Sequence, residues 1–166
     1  KTRDELIEIR RVASILESEE IFVFEAVRPV VAMSSLQLWM EEKEATYPYK
    51  VIALNRLKMY EGRAKVELNM NGLTEVMTAM HGIEFVQDPT YMIRANYQLN
   101  RNKDVDSVFC SELIALIYQR VGLLSEKREA ANFTPNDFWP ATRTRLLVDA
   151  RIVEGFRLRE TDMPRP

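Results

Sequence analysis

The sequence predicts an α+β fold in which a small antiparallel sheet packs against helices. Three observations predict it: short apolar runs rich in β-branched and aromatic residues, segments with apolar residues at helical spacing, and strands and helices that do not alternate. The chain has 166 residues, of which 46% are hydrophobic and 29% charged, enough for one domain with a sizeable core. We therefore predict a single domain over residues 1–166, with a helix over 1–10 and a tail over 159–166.

The composition argues against several classes of protein. The formal net charge of −2 argues against a general nucleic-acid binder. The single cysteine, Cys110, allows no internal disulfide and fits a reducing compartment such as the cytoplasm. One cysteine and one histidine, His81, make a structural zinc site improbable, and the five glycines form no phosphate-binding loop. We expect no cofactor, no metal and no transmembrane segment, because no apolar run approaches the roughly 18 residues of a membrane span.

The first half of the chain is predicted to hold most of the strands. Glu17–Glu20 separates two apolar runs, a pattern typical of a β-hairpin with a polar turn. Ser34 and Ser35 are candidate N-caps of a helix that ends at Tyr47 and Pro48. The predicted elements are strands Val12–Leu16, Ile21–Ala26 and Val30–Ala32, a helix containing Leu36, Trp39 and Met40, and a strand Lys50–Lys58.

The second half is predicted to be mainly helical. Apolar residues recur every three or four positions from Val66 to Met80, and Gly82 is the expected C-cap of that helix. The stretch Asn69–Gly72 is an alternative break in it. Asp88–Val105 is interpreted as a long irregular connection. The remaining predicted elements are a helix Cys110–Leu124 ended by Gly122, a helix start at Thr134–Asp137, and closing strands Leu146–Val148 and Ile152–Leu158.

Cys110 is the first candidate for chemistry, because it stands where the segment Asp106–Phe109 gives way to a helix. A thiol at a helix N-terminus meets the positive end of the helix dipole, which favours the reactive thiolate. The free N–H groups of the first turn can also stabilise an oxyanion. The alternative is that Cys110 is a small buried apolar residue before an apolar helix.

Two further residues are candidates for a functional role. His81 is the only histidine available as a base, and its place beside the capping Gly82 favours a structural role at a helix end. Glu25 follows an apolar strand, where a carboxylate either has a partner or a function, or points to solvent.

The order of several motifs resembles the circularly permuted papain-like proteins of the NlpC superfamily, close to the YiiX-like group. The resemblance covers about Val12 to Phe138. The motifs are Ile-Phe-Val-Phe-Glu-Ala-Val at 21–27, Leu38-Trp39 in a helix, a strand ending near Arg56, Phe-Cys-Ser-Glu-Leu at 109–113 and Thr-Pro-Asn-Asp-Phe at 134–138.

The resemblance implies a thiol hydrolase or acyltransferase on a permuted papain-like fold. Within that family a cysteine opens the main helix, a histidine begins a strand, and the glutamate of a Glu-Ala pair is the third polar residue. Carried over to this chain, Cys110 matches the nucleophile and Glu25 matches the acid. The expected substrates are peptides, peptidoglycan amides or lipid acyl groups, cleaved through an acyl-enzyme on Cys110.

The sequence departs from the family at the base. Arg11 stands where the resemblance places the histidine, and a guanidinium stays protonated and cannot act as a general base. The strand that normally precedes the histidine is also missing before Arg11. One hypothesis is a catalytically inactive domain that binds protein partners, through the methionine helix, Tyr91–Tyr97 or Arg143–Arg159. The other is that a segment carrying the strand and the histidine is missing from the sequence between Arg10 and Val12.

Overall fold

The structure is a computed structural model of the chain. It describes residues 21–46, 52–59, 68–86, 88–100, 107–140, 144–148 and 150–158. Outside these residues lie the predicted helix over 1–10, the strand Val12–Leu16, the turn Glu17–Glu20, the junction around Arg11, the helix end at Tyr47 and Pro48, and the tail over 159–166.

The described residues form a mixed α+β structure with four α-helices and a small two-stranded antiparallel sheet. The α+β prediction is therefore confirmed. The strands are β1 (Phe22–Ala26), β2 (Val31–Ser35), β3 (Ile52–Met59), β4 (Glu84–Phe85), β5 (Ser107–Val108) and β6 (Ala150–Leu158). The helices are α1 (Leu36–Thr46), α2 (Met70–Met80), α3 (Pro89–Asn96) and α4 (Cys110–Arg120), followed by two 3₁₀ turns, Ala130–Asn132 and Pro135–Phe138.

The strands pair two by two: β1 with β2, β3 with β6, and β4 with β5. The β4–β5 pair is parallel, with Glu84 opposite Ser107 and Phe85 opposite Val108. Parallel neighbouring strands need a crossover connection, and α3 lies within the connection between β4 and β5. An antiparallel bridge between Val30 and Glu84 links the start of β2 to β4.

The chain divides into two compact units. The first unit comprises residues 1–23, 33–56 and 154–166, and its described part contains α1. The hydroxyl of Ser35 accepts a hydrogen bond from the Leu38 N–H over 3.3 Å, as the predicted N-cap requires. Within α1 the ammonium group of Lys43 lies 5.6 Å from the centre of the Trp39 ring, a cation–π contact one helical turn apart.

The second unit comprises residues 24–32 and 57–153 and contains Cys110 and Glu25. It holds two clusters of buried apolar side chains. The thiol-side cluster consists of Ala26, Val31, Val76, Val108 and Leu113. The far cluster consists of Ala115, Val121, Leu123, Leu124, Ala130, Phe133, Phe138, Leu146 and Ala150. Since α4 supplies residues to both clusters, it is the central element of this unit.

The helix α2 packs closely on α4. Its N-cap is Asn69, whose side-chain oxygen accepts the N–H of Gly72 over 3.0 Å. A Cβ atom on Gly72 would lie only 2.6 Å from the carbonyl oxygen of Arg120, at the end of α4. The stretch Asn69–Gly72 is therefore the start of the helix, and the glycine is required by the close approach of two backbones. The C-cap of the helix is His81, and Gly82, predicted to be the C-cap, follows it with φ of +82°, the left-handed conformation that ends many helices.

Two predicted elements are wrong. Part of Asp88–Val105 is the helix α3, started by the side chain of Asp88, which accepts the Thr90 N–H over 2.8 Å, and by Pro89 in its first turn. Leu146–Val148 is not a strand, since Val148 has φ of +57°, outside the extended region.

Among the described residues no helix is long and apolar enough to cross a membrane.

Candidate functional site

The site is built around the turn from β5 into α4. Val108 is held in the parallel β4–β5 pair, Phe109 is buried, and Cys110 is the first residue of the helix. The thiol of Cys110 is free and exposed. The predicted position at a helix N-terminus is confirmed, and the interpretation of Cys110 as a buried apolar residue is not.

The residue after the cysteine fixes this turn to the rest of the unit. Ser111 is 1% exposed, and its hydroxyl donates to the carbonyl oxygen of Phe133 over 2.8 Å. A buried hydroxyl with a partner at this distance is fully engaged. The thiol of Cys110 is thus exposed, while the side chains on either side of it, Phe109 and Ser111, are buried.

The start of α4 keeps free hydrogen-bond donors. Its first intrahelical bond runs from the Leu113 N–H to the Phe109 carbonyl over 3.0 Å, so the N–H groups of Cys110, Ser111 and Glu112 have no partner within the helix. The N-cap residue Phe109 has an apolar side chain and makes no capping bond. The exposed thiol therefore lies beside backbone donors that no described residue of the helix satisfies, and such donors favour a negative charge.

Glu112 is a second ionisable group on the same turn, and sequence reasoning missed it. Burial raises the pKa of its carboxyl from 4.5 to about 7, against the opposing effect of a hydrogen bond from the Phe109 N–H. The visible signal was a glutamate three residues after the N-cap position, the spacing at which a side chain reaches back to the N-cap N–H. Strongly shifted ionisable groups concentrate at functional sites.

A polar network supports the residue that accepts the Ser111 hydroxyl. The guanidinium of Arg128 lies over the Phe133 ring at 4.1 Å and pairs with the carboxylate of Asp137 through two bonds of 3.0 and 3.1 Å. It also donates to the carbonyl of Asn132. Because Arg128 contacts both the Phe133 ring and the carbonyl of the preceding Asn132, it helps to hold the segment whose Phe133 carbonyl accepts the Ser111 hydroxyl.

A pair of buried asparagines joins the network to the segment after α3. The Asn100 N–H donates to the side-chain oxygen of Asn132, and the Asn132 amide donates to the Asn100 carbonyl, both over 2.9 Å. The Asn100 amide also donates to the carbonyls of Tyr91 and Ala131. The connection from α3 is therefore tied to the same segment that holds Ser111.

Glu25 lies in the same unit, on a strand that reaches the thiol-side cluster. Its neighbours Phe24 and Ala26 pack in the cluster that contains Val108 and Leu113. Because successive side chains leave opposite faces of a strand, Glu25 leaves the face opposite to Phe24 and Ala26. Its carboxyl is half-buried and has an interaction partner of its own. Among the described residues no hydrogen bond joins it to Cys110.

His81 is the C-cap of α2 and is exposed, as its predicted structural role requires. Its backbone N–H donates to the carbonyl of Met77. Within the described ranges, no three histidine, cysteine or carboxylate side chains are grouped closely enough to hold a metal ion.

Comparisons of the chain with protein-family models, with curated proteins and with solved structures find no match.

Proposed function

We propose that the protein is a thiol hydrolase in which Cys110 forms an acyl-enzyme with an amide or ester substrate. The observation that carries the proposal is the exposed thiol on the first turn of α4, beside three N–H groups without a helical partner. A thiol buried in either apolar cluster has no such access to substrate. The permuted papain-like resemblance supports the same assignment from the sequence.

The proposed reaction has two steps. The sulfur of Cys110 forms a bond to the substrate carbonyl carbon, and the free N–H groups of the turn bind the developing oxyanion. The bond to the amine or alcohol then breaks, and the leaving group departs with a proton. Water attacks the resulting thioester, releasing the acid and restoring the thiol. The resemblance gives Glu25 the role of orienting a histidine base, the position that Arg11 fills in this chain.

Arg11, in the place of the family histidine, makes deacylation the slow step in this proposal. An arginine cannot take the proton from water, so the acyl-enzyme is expected to accumulate. A short-lived thioester requires a base, whereas attack of a thiol on a highly activated ester does not.

The experiment is acylation by p-nitrophenyl acetate, followed by p-nitrophenolate release and by intact-protein mass. We expect a burst of product, a gain of one acetyl group on the protein, and loss of both in Cys110→Ala. Arg11→His is expected to shorten the lifetime of the acyl-enzyme, with Arg11→Ala as its matched control. Absence of a Cys110-dependent burst would rule out the acyl-enzyme.

A non-catalytic binding domain is the second candidate, favoured by Arg11 and by exposed apolar residues on and after α3. Met92, Ile93, Tyr97 and Leu99 are 46–72% exposed. Apolar side chains grouped on a surface mark contact sites more often than scattered ones do. This candidate predicts that any partner binds Cys110→Ala as well as the unaltered chain, and that charge introduced by Ile93→Glu weakens that binding.

A further inference from the structure

We propose that the outer side of α3, with the residues directly after it, docks on an anionic lipid surface. The inference goes beyond the proposed function and does not depend on chemistry at Cys110. It follows from an inner side that is fixed to the protein, an outer side that is apolar, and a local excess of positive charge. The docking surface consists of the exposed residues Met92, Ile93, Arg94, Tyr97 and Leu99.

The inner side of α3 is fixed to the rest of its unit. Ala95 is fully buried, and Tyr91, one turn before it, is half-buried. Because these two residues lie four positions apart, they form one buried stripe along the helix. After the helix, the buried side-chain amide of Asn100 donates to the Tyr91 carbonyl over 3.1 Å and to the Ala131 carbonyl over 2.8 Å. These contacts prevent the helix from turning its opposite side inward.

The opposite side of α3 exposes apolar side chains to solvent. Ile93 is 58% exposed and Tyr97 is 72% exposed. They lie four positions apart and so share one face, which at about 3.6 residues per turn points away from the buried stripe. Exposed Met92 and Leu99 add to the same docking surface. Aliphatic side chains beside a tyrosine ring are typical of residues that enter the interfacial region of a bilayer.

The docking surface also carries a positive charge. The Arg94 guanidinium lies 6.0 Å from the centre of the Tyr91 ring and donates to the Leu99 carbonyl over 3.3 Å, which holds it beside the apolar side chains. Among the described residues no carboxylate pairs with it. In the sequence, residues 89–103 contain three basic residues and no aspartate or glutamate, although the whole chain has a net charge of −2. Such a local excess of positive charge is attracted to anionic lipid headgroups.

The size of the docking surface favours a lipid surface over a protein partner. A stable protein interface buries about 800 Å² on each partner and involves roughly 20–30 residues a side. The docking surface is a small group of side chains on and after a helix of 8 residues. A bilayer requires no matching shape, because a few apolar side chains enter it while basic groups stay at the phosphates. A second copy of the chain or another protein is the alternative that the test must separate.

The test measures co-flotation of the full chain with vesicles of phosphatidylcholine alone and with vesicles that also contain about 30% phosphatidylserine. The variants are Ile93→Glu, which places a negative charge on the outer side, Arg94→Gln, which removes the positive charge, and Arg94→Lys, which keeps it. The control is Met70→Glu, the same new charge at the first residue of α2, where the methionine is 58% exposed, as Ile93 is. Circular dichroism confirms that each variant is folded.

We expect the unaltered protein to bind the phosphatidylserine vesicles at least about fivefold more tightly than the phosphatidylcholine vesicles. Ile93→Glu should weaken binding to the anionic vesicles by about tenfold or more, because it removes an apolar contact and adds a charge that the lipid repels. Arg94→Gln should weaken this binding about fivefold. Arg94→Lys and Met70→Glu should each change it by less than about twofold, since both leave the charge and the apolar side chains of the docking surface in place.

Absence of binding to both kinds of vesicle would overturn the proposal, as would equal binding to both or an equal loss in Met70→Glu and Ile93→Glu. Sedimentation of the protein without lipid tests the alternative occupant. Self-association that Ile93→Glu abolishes, in a protein that binds no vesicles, would assign the docking surface to a second copy of the chain. Flotation involves no acyl transfer, so its outcome is independent of whether an acyl-enzyme forms on Cys110.

Discussion

Glu112 and Asp137 occupy the same place in two different helical turns and have opposite ionisation behaviour. Each is the third residue of its turn. The carboxyl of Asp137 accepts the Thr134 N–H over 2.8 Å, and the pKa of Glu112 is influenced by the Phe109 N–H. Burial raises the pKa of both carboxyls. For Asp137 the hydrogen bonds from Arg128 and Thr134 outweigh burial and lower its pKa, whereas the pKa of Glu112 rises to about 7.

The difference lies in the partners. Asp137 accepts bonds from the Arg128 guanidinium, the Thr134 hydroxyl at 2.9 Å and the Thr144 hydroxyl at 3.2 Å. Among the described residues, the Phe109 N–H is the one group that lowers the pKa of Glu112. A buried carboxylate with a paired guanidinium stabilises the folded chain, and one without such a partner destabilises it when charged. When its carboxyl is charged, the turn beside the exposed thiol therefore lowers the stability of the folded chain, whereas the turn at Asp137 does not. Such a loss of stability is common at functional sites.

Asp137→Asn is the change expected to have the largest effect. It leaves Arg128 without its carboxylate and should lower the free energy of unfolding by about 3 kcal/mol. The loss should shrink in acid: the pKa of Asp137 is lowered in the folded state, so its stabilising effect is present above the ordinary value of 3.8 and is lost as pH falls below it. Urea denaturation at several pH values measures both.

The matched control for this change is Asp88→Asn. Asp88 caps α3 with one bond to the Thr90 N–H, and asparagine caps a helix about as well as aspartate. The control should change stability by less than about 0.5 kcal/mol. Equal losses of unfolding free energy in the two variants would show that the ion pair between Arg128 and Asp137 adds no stability of its own.

Glu112→Gln should raise the free energy of unfolding above neutral pH, by somewhat less than Asp137→Asn lowers it. The folded pKa of about 7 exceeds the ordinary 4.5, so stability is full below pH 4.5 and is lost as pH rises through 7. At pH 8 the variant should be more stable than the unaltered protein by about 2 kcal/mol, and near pH 4.5 the two should agree. A destabilised variant at pH 8 would mean that the charged carboxyl has a partner.

Ser111→Ala should have the smallest effect of the three. It removes the donor to the buried Phe133 carbonyl and should cost about 1–2 kcal/mol in urea denaturation. Its control is Thr74→Ala on α2, whose exposed hydroxyl donates to the Met70 carbonyl and whose loss should cost less than about 0.5 kcal/mol. A cost for Ser111→Ala no greater than for Thr74→Ala would separate the thiol turn from the Arg128 network.

The sequence was sufficient for the elements whose signals are local. The start of α4 at Cys110 and the helix start at Thr134 followed from apolar spacing and capping residues, although the latter is a 3₁₀ turn of four residues. The helix α3 was missed because it has only eight residues and because its apolar residues Met92 and Ile93 are exposed, so they do not mark its buried side.

The features of the site likewise fall into those that local sequence signals predict and those that depend on distant parts of the chain. The place of Cys110 at a helix start follows from the local pattern, but its exposure does not, because Ser111 in the same turn is buried. The burial of Glu112 depends on what packs around α4, and α2 and the 3₁₀ turns come from distant parts of the chain. The asparagine pair joins residues 32 positions apart, and no short-range pattern encodes such a contact.

The close crossing of α2 and α4 at Gly72 has a consequence for how this chain can diverge. Any larger residue there must push a backbone carbonyl aside, so random mutagenesis should return glycine at position 72 almost exclusively. At Gly82 an added Cβ meets nothing, and its positive φ still admits asparagine. A variant that had exchanged its thiol for another residue would therefore still need glycine at position 72.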